Sequence, residues 1–250
     1  KIEIMKLDEK LKNRYLSRKK INLFKIFYFF YQYLKSINIL RKRPLHSNWG
    51  IDLMAEDYFK NKKNGFFIDI GCHQPLLNNN TYILYKKGWR GINIDLDFGA
   101  IDMFNFFRKG DTNIQAAISN SVGKKNLYFF HNRSAINTLS LNAENKAREV
   151  RKIETVTLNN IIENTQFKNK EIDFLTVDVE GTEIEVLQGL DFNKYKPKLV
   201  VLEFIDFNVS EYYNLKIDNI LNSSINKFME NQNYKLVNWI HDDLVYVPNN

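Results

Sequence analysis

The chain is poor in the residues that staple or punctuate small folds. Its 250 residues hold one cysteine, Cys72, together with four prolines and ten glycines. A single cysteine excludes an intrachain disulfide, so nothing argues for an oxidising compartment. The four histidines are scattered, which also excludes a zinc site of Cys/His spacing. There is no G-x-G-x-x-G loop, the usual cradle for a pyrophosphate. The longest apolar stretch is short and interrupted, below the roughly 20 residues a spanning helix needs. No internal repeat and no Pro/Gly/Ser-rich linker interrupts residues 48–250.

What remains is a chain able to build a large core. Hydrophobic residues make up 44% of it and aromatics 14%, enough for one large domain with an appendage. The net charge of +7 is uneven: residues 1–43 carry 13 Lys/Arg against 3 Asp/Glu, and the rest 23 against 26. The basic character therefore belongs to the N-terminal segment. That argues against nucleic acid as a partner, which would want a basic stripe across the main domain. The chain opens on Lys1 rather than methionine, leaving room for a preceding targeting segment.

The simplest partition is a basic, aromatic-rich helical appendage over residues 1–47 and a catalytic-size domain over 48–250. Within the appendage, INLFKIFYFFYQYLKSINIL lies between Arg18-Lys19-Lys20 and Arg41-Lys42-Arg43. Phe24, Phe27, Tyr28, Tyr31 and Leu34 share one helical face, with Lys25, Gln32 and Ser36 as a polar strip opposite. Two readings stay open. The helix packs against the main domain or a second subunit of a homo-oligomer, or it lies on an anionic membrane. The expected location is the cytoplasm, with peripheral contact at the inner face of the membrane through residues 18–43 under the second reading.

From Gly65 onward, strand and helix signals alternate. Strands are expected at Phe66–Ile70, Gly91–Ile94, Asn113–Ile118, Lys125–Phe130, Lys152–Thr157, Ile172–Val177 and Lys198–Glu203. Helical stretches are expected over Thr81–Lys87, up to Arg108, and over Leu158–Asn164. Tyr234–Val237 and Leu244–Val247 read as a hairpin joined by Asn238–Asp243, and residues 131–148 as a loop or lid. The pattern predicts an α/β fold with a doubly wound, Rossmann-like, mostly parallel sheet and a C-terminal antiparallel hairpin.

The segment IDFLTVDVEGTEIEVLQGL (Ile172–Leu190) carries the strongest functional signal. A buried strand runs into Asp178 and Glu180, then Gly181. Thr182 and Glu185 have capping-box spacing, and Gly189 is placed to end the helix in a left-handed conformation. Ligands of open α/β sheets bind beyond the carboxyl ends of the strands, so two acids there predict a site. Glu183 and Glu185 are expected instead to favour the helix N-terminus. Other strands end alike, in Asp69-Ile70-Gly71-Cys72-His73, in Asp95 and in Glu203. Gly71 would let the backbone approach a ligand, and Asp95 suits a ribose diol. A ribose-binding acid without a phosphate cradle points to a nucleoside lacking phosphates, such as S-adenosylmethionine. A divalent metal bridging Asp178 and Glu180 has no third ligand implied by sequence and ranks below plain acid–base work.

The ordered set FFIDIGCH, NTYILYKKGWRGINID, ETVTLNNII, DFLTVDVEGTEIEVLQGLDF and KPKLVVLEF resembles the FkbM-type S-adenosylmethionine-dependent methyltransferases. The resemblance spans roughly residues 48–247 and implies methyl transfer to a hydroxyl, often on a sugar or a secreted-polymer or natural-product precursor; the expected acceptor is a sugar in a glycan, nucleotide sugar or lipid-linked saccharide. The resemblance also implies that Asp69, Gly71, Asn80 and Thr81 approach the methionine end of the cofactor. Cys72 and His73 are counted with them as cofactor-binding, His73 as a cofactor contact rather than a base or a loop anchor and Cys72 as a packed residue rather than a nucleophile. Asp95 would hold the ribose and Ala117 would pack beside the adenine. Asp178, Glu180 and Glu203 would face a small-molecule or saccharide acceptor. A hydroxyl acceptor wants a base at the strand rim: Asp178 is the first choice, with Glu180 as orienter or alternate base and Glu203 as a hydrogen-bond partner of a polyol. Thr182 stands where histidine is common in the family, and Gln115-Ala116 where many methyltransferases place an acid. A non-catalytic or membrane-associated module keeping the fold is the alternative; a nucleotide-dependent oxidoreductase is disfavoured by the missing phosphate loop.

Overall fold

A computed structural model describes residues 10–15, 22–42, 45–130, 137–141, 144, 146–204 and 216–249. Helices α1 (Asn22–Leu40) and α2 (Ile51–Tyr58) precede strand β1 (Phe66–Ile70). The chain continues through α3 (Tyr82–Lys86), β2 (Arg90–Asp95), α4 (Phe98–Phe107), β3 (Thr112–Gln115) and β4 (Ala117–Ile118). Then come β5 (Gly123–Phe129), β6 (Glu149–Val156), α5 (Leu158–Glu163), β7 (Phe174–Val177), α6 (Glu183–Gln188) and β8 (Leu199–Glu203). Helices α7 (Ile217–Leu221) and α8 (Ser224–Asn231) and the hairpin β9 (Tyr234–Ile240) and β10 (Asp243–Pro248) complete it.

Seven strands form one mostly parallel sheet in the order β3-β2-β1-β7-β8-β10-β9, consistent with a Rossmann-like fold. β10 runs antiparallel to both β8 and β9. The central strands bury both faces, as their near-continuous apolar sequences require. Phe66, Ile68 and Ile70 join a core with Leu158, Ile162, Val186 and Met229 from α5, α6 and α8. Phe67, between them in sequence, joins Ile51, Ala55, Leu84 and Trp89 in a separate core. Period-2 alternation along β1 thus feeds two cores.

Several local expectations give way to packing. The predicted strand 113–118 divides at Ala116: β3 stays in the main sheet, while β4 joins a three-stranded sheet of order β4-β6-β5. The loop expected at 238–243 contracts to His241-Asp242, with His241 at φ +57°. Thr182 makes no side-chain cap. The Glu183 carboxylate instead accepts the backbone N–H groups of Val179 and Gly181, both at 3.1 Å, tying the turn directly to its helix. Gly189 has φ −79° rather than a left-handed value. Its small size matters for another reason: a Cβ there would sit 2.5 Å from the carbonyl oxygen of Ser119. Glu185 ends up paired with Lys125 at 2.5 Å.

Helix α1 lies against α4, where Tyr28 and Phe29 cluster with Tyr15 and Met103. The expected polar strip faces inward: Gln32 and Ser36 are buried, and Lys25 pairs with Asp102 at 2.5 Å. Among the described residues no helix is long and apolar enough to cross a membrane.

Candidate active site

Strand order reverses between β1 and β7, because β1 turns back toward β2 while β7 leads on to β8. Such a switch point opens a crevice at the carboxyl ends of the strands. Here it widens into a cavity of about 660 Å³ lined by the ends of β1, β2, β4, β7 and β8. Leu127, Phe129 and Arg151 of the smaller sheet and Trp49, just before α2, also line it.

Gly71 sits where β1 enters the cavity, with φ +81°. Its N–H donates to Ile94 O at 2.9 Å, and Asp178 N–H donates to Ile70 O at 2.9 Å. Asp95 ends β2 with its carboxylate anchored twice, by the N–H of His73 at 2.8 Å and of Asp97 at 2.7 Å. Oxygen lone pairs remain for further donors. His73, Asn78 and Glu180 all line the cavity with positive φ, at 45°, 48° and 61°. Non-glycine residues rarely adopt this region, and such strain collects at functional sites.

Opposite Asp95 stand the acids. Oxygens of Asp178, Glu180 and Glu203 all lie within 4.8 Å of one another. Glu203 also accepts the N–H of Glu180 at 3.2 Å, and Thr138 holds the Glu180 carbonyl with a 2.8 Å hydrogen bond. Asp178 is exposed at the cavity surface, yet protein crowds its carboxylate from all sides. Burial raises it to about 6, against the opposing effect of a hydrogen bond with Glu203 and with a further upward push from Asp242. Glu180 rises to about 8 through burial and then the charge of Asp178. Glu203 is driven furthest up, by burial first and by the charges of Asp178, Glu180 and Glu183 after it. Carboxylates this close cannot all ionise. A shared proton or a divalent cation would relieve the repulsion, and Glu203 would then supply the third oxygen that sequence spacing did not offer.

Of the residues singled out from sequence, Gly71, His73, Asn80, Asp95, Ala117, Asp178, Glu180 and Glu203 line the cavity. Asp69, Cys72 and Thr81 are buried and do not line it. Asp69 accepts from Asn79 and Thr81, both at 2.9 Å. Arg108, fully buried, donates to Thr81 Oγ1 at 2.9 Å and pairs with Asp111 at 3.0 Å. Burial raises Asp69 to about 6 even with Thr81 and Arg108 opposing the rise. Alternation along β1 explains the placement: Asp69 shares the face of Phe67, where it meets Asn79 and Thr81, and the chain turns only at Gly71. The Asp69 side chain therefore braces the 72–81 loop from behind. Cys72 packs with Ile101 and Phe104.

Sequence reasoning missed Trp49, Phe98, Arg151, Asp242 and Asp243, all on the cavity wall. Trp49 and His241 stack at 3.8 Å between ring centroids, an arrangement no sequence spacing announces. Asp243 arrives through its antiparallel register with Glu203. From the expected lid, Asn137 and Leu139 reach the wall, whereas residues 131–136 lie outside the described residues.

A search of curated proteins returns no match. A family model described as the methyltransferase FkbM domain matches residues 69–236. That match runs from Asp69 in β1 into β9 and takes in both halves of the cavity, the Gly71–Asp95 side and the Asp178–Glu180–Glu203 side. The chain belongs to the FkbM methyltransferase family.

Proposed function

We propose that this chain is a class I O-methyltransferase that uses S-adenosylmethionine and methylates a hydroxyl of a sugar in a glycan or lipid-linked saccharide. The observation that carries the reading is the single cavity joining Gly71 and Asp95 to Asp178, Glu180 and Glu203 across the β1/β7 switch point.

The charge of the wall supports a cationic cofactor. Asp95 and Asp97 on one side and Asp178 and Asp242 on the other face a single guanidinium, Arg151, among the described lining residues, while Glu180, Glu203 and Asp243 are pushed toward their neutral forms by burial and neighbouring acids. A sulfonium and an ammonium suit that field, whereas a dinucleotide pyrophosphate would meet repulsion. Asp95 would accept the ribose hydroxyls, and Leu96, Phe98, Ala117 and Ile118 supply apolar surface for an adenine. Gly71, His73 and Asn80 are placed for the methionine end, braced by Asp69, Thr81 and Arg108. When bound, the cofactor supplies an electrophilic methyl group.

Asp178 is the base in this reading. It takes the proton of the acceptor hydroxyl as that oxygen becomes a nucleophile. With its affinity for protons raised to about 6, it is ionised near neutrality yet more basic than an ordinary aspartate. Glu203, held neutral, orients Asp178 by a hydrogen bond, and Glu180 aligns the acceptor. Half-exposed Trp49 offers a flat apolar face beside carboxylates that accept hydroxyl protons, a combination that suits a pyranose. The same carboxylates favour placing the saccharide inside, with any phosphate of a nucleotide sugar or lipid carrier outside.

Calorimetry with S-adenosylmethionine, followed by transfer of its labelled methyl group to a panel of saccharides, tests the proposal. Asp178→Asn should keep cofactor affinity and lose turnover by about 10²–10⁴-fold. Near-normal turnover in that variant would remove Asp178 as base. Cofactor binding without transfer across a broad panel would favour a non-catalytic module.

A further inference from the structure

Helix α1 is apolar on two sides: Tyr28 and Phe29 pack inward against α4, and a second apolar stripe faces water, where an ordinary surface helix is polar. Its buried side includes the polar residues Gln32 and Ser36, at 7% and 8% exposure, and the inward-turned Lys25. Its outer side is apolar. Leu23 is 74% exposed, Ile26 53%, Phe27 57%, Phe30 56% and Leu34 49%. These positions fall at i, i+3, i+4, i+7 and i+11, so they form one continuous stripe. Exposed Arg41 lies on the same side, a whole number of turns beyond Leu23, and Lys42 follows it. Scattered exposed apolar residues mean little, but a contiguous stripe of large ones marks an interaction surface.

We propose that α1 docks the protein on an anionic lipid bilayer, lying in the interface plane with the Leu23–Leu34 stripe inserted. Charge selects this occupant. Residues 1–43 hold 13 Lys/Arg against 3 Asp/Glu, while the remainder is net acidic. A second copy laid along the stripe would press two such basic segments together. An anionic bilayer meets both needs, taking the apolar side chains into the acyl boundary and neutralising the flanking Arg and Lys with headgroups. The helix fails the requirements for spanning, so it lies on the surface. Aromatic Phe27, Phe30 and Tyr33 sit where interfacial rings are favoured. The inward Lys25–Asp102 and Tyr15–Asp102 hydrogen bonds, each 2.5 Å, keep the stripe pointing away from the domain.

The test is sedimentation of the full chain with vesicles of phosphatidylcholine alone, or with about a third phosphatidylglycerol. Binding to the anionic vesicles, weakened by high salt and at least about tenfold weaker to the neutral ones, is the expected result. The Phe27→Asp/Phe30→Asp double variant should lose binding by about tenfold or more while keeping its melting temperature, because both side chains face water. Failure of the wild type to bind anionic vesicles overturns the proposal. So does equal binding by the double variant. A dimer in light scattering that this variant dissociates, without vesicle binding by the wild type, assigns the stripe to a second copy and equally overturns it.

Discussion

The carbonyl oxygen of Asp178 occupies the space that a side chain at residue 71 would need. A Cβ on Gly71 would lie 1.6 Å from that oxygen, and Gly71 also holds φ +81°. Two strand ends, remote in sequence, thus meet backbone to backbone, and the closeness brings Asp178 into the same cavity as Asp95. Gly71→Ala should destabilise the protein by about 3 kcal/mol or more in urea denaturation, through clash and strained backbone together. Cofactor affinity should fall with it in calorimetry.

The pH profile should report Asp178. With its proton affinity raised to about 6, kcat/KM should fall as pH drops below that value, because the base becomes protonated. Asp242→Asn removes a negative neighbour, so ionising Asp178 costs less and the acidic limb should move to lower pH. An unmoved limb would assign it to another group.

The acidic cluster should make the unliganded protein less stable as pH rises. Glu180, raised from 4.5 to about 8, and Glu203, raised further, bind protons more tightly folded than unfolded. Their contribution is therefore fully present below about pH 4 and is lost as pH rises through the folded values. Glu203→Gln, which mimics the neutral acid, should raise the melting temperature at pH 8 by about 2–4 °C, roughly 1 kcal/mol. At pH 4 the two proteins should melt alike.

Arg108 should matter to the cavity without touching it. Buried among Thr81, Asn79, Pro75 and Asp111, it lies 4.5 Å from the Tyr85 ring centroid. Arg108→Met leaves Asp111 without its buried partner and should cost about 3–5 kcal/mol by denaturant titration. Any residual folded protein should show weakened cofactor binding, because the loop carrying Asn80 loses its brace.

Trp49 is expected to act on the acceptor alone. Trp49→Ala should raise the acceptor KM by about tenfold, leaving cofactor affinity in calorimetry unchanged. A change in cofactor affinity instead would move Trp49 to the other half of the site.

Much of the framework was legible in the chain because its signals are local. Runs such as Phe66–Ile70 and Leu199–Glu203 are apolar over strand length, and each is followed by a turn residue or an acid. That is enough to place Gly71, Asp95, Asp178 and Glu203 at strand ends. Glu203 as a neighbour of Asp178 was less visible, since closeness across two parallel strands depends on the Val177–Leu202 register. Asp242 and Asp243 gave no signal, because only the antiparallel return of β10 beside β8 carries them to the cavity.

Sequence by itself determined the alternation of strands and helices, the strand-end acids, the missing phosphate cradle and the confinement of positive charge to the N-terminal segment. These follow from the order of side chains along one chain. Tertiary structure alone decided that Asp69, Cys72 and Thr81 stand behind the cavity wall, that Trp49 meets His241, and that α1 turns its polar strip inward. Periodicity shows which residues share a face, but long-range packing chooses what covers that face. For α1, α4 offers Met103 and Phe107 to Tyr28 and Phe29 and Asp102 to Lys25, so the stripe from Leu23 to Leu34 is left outward.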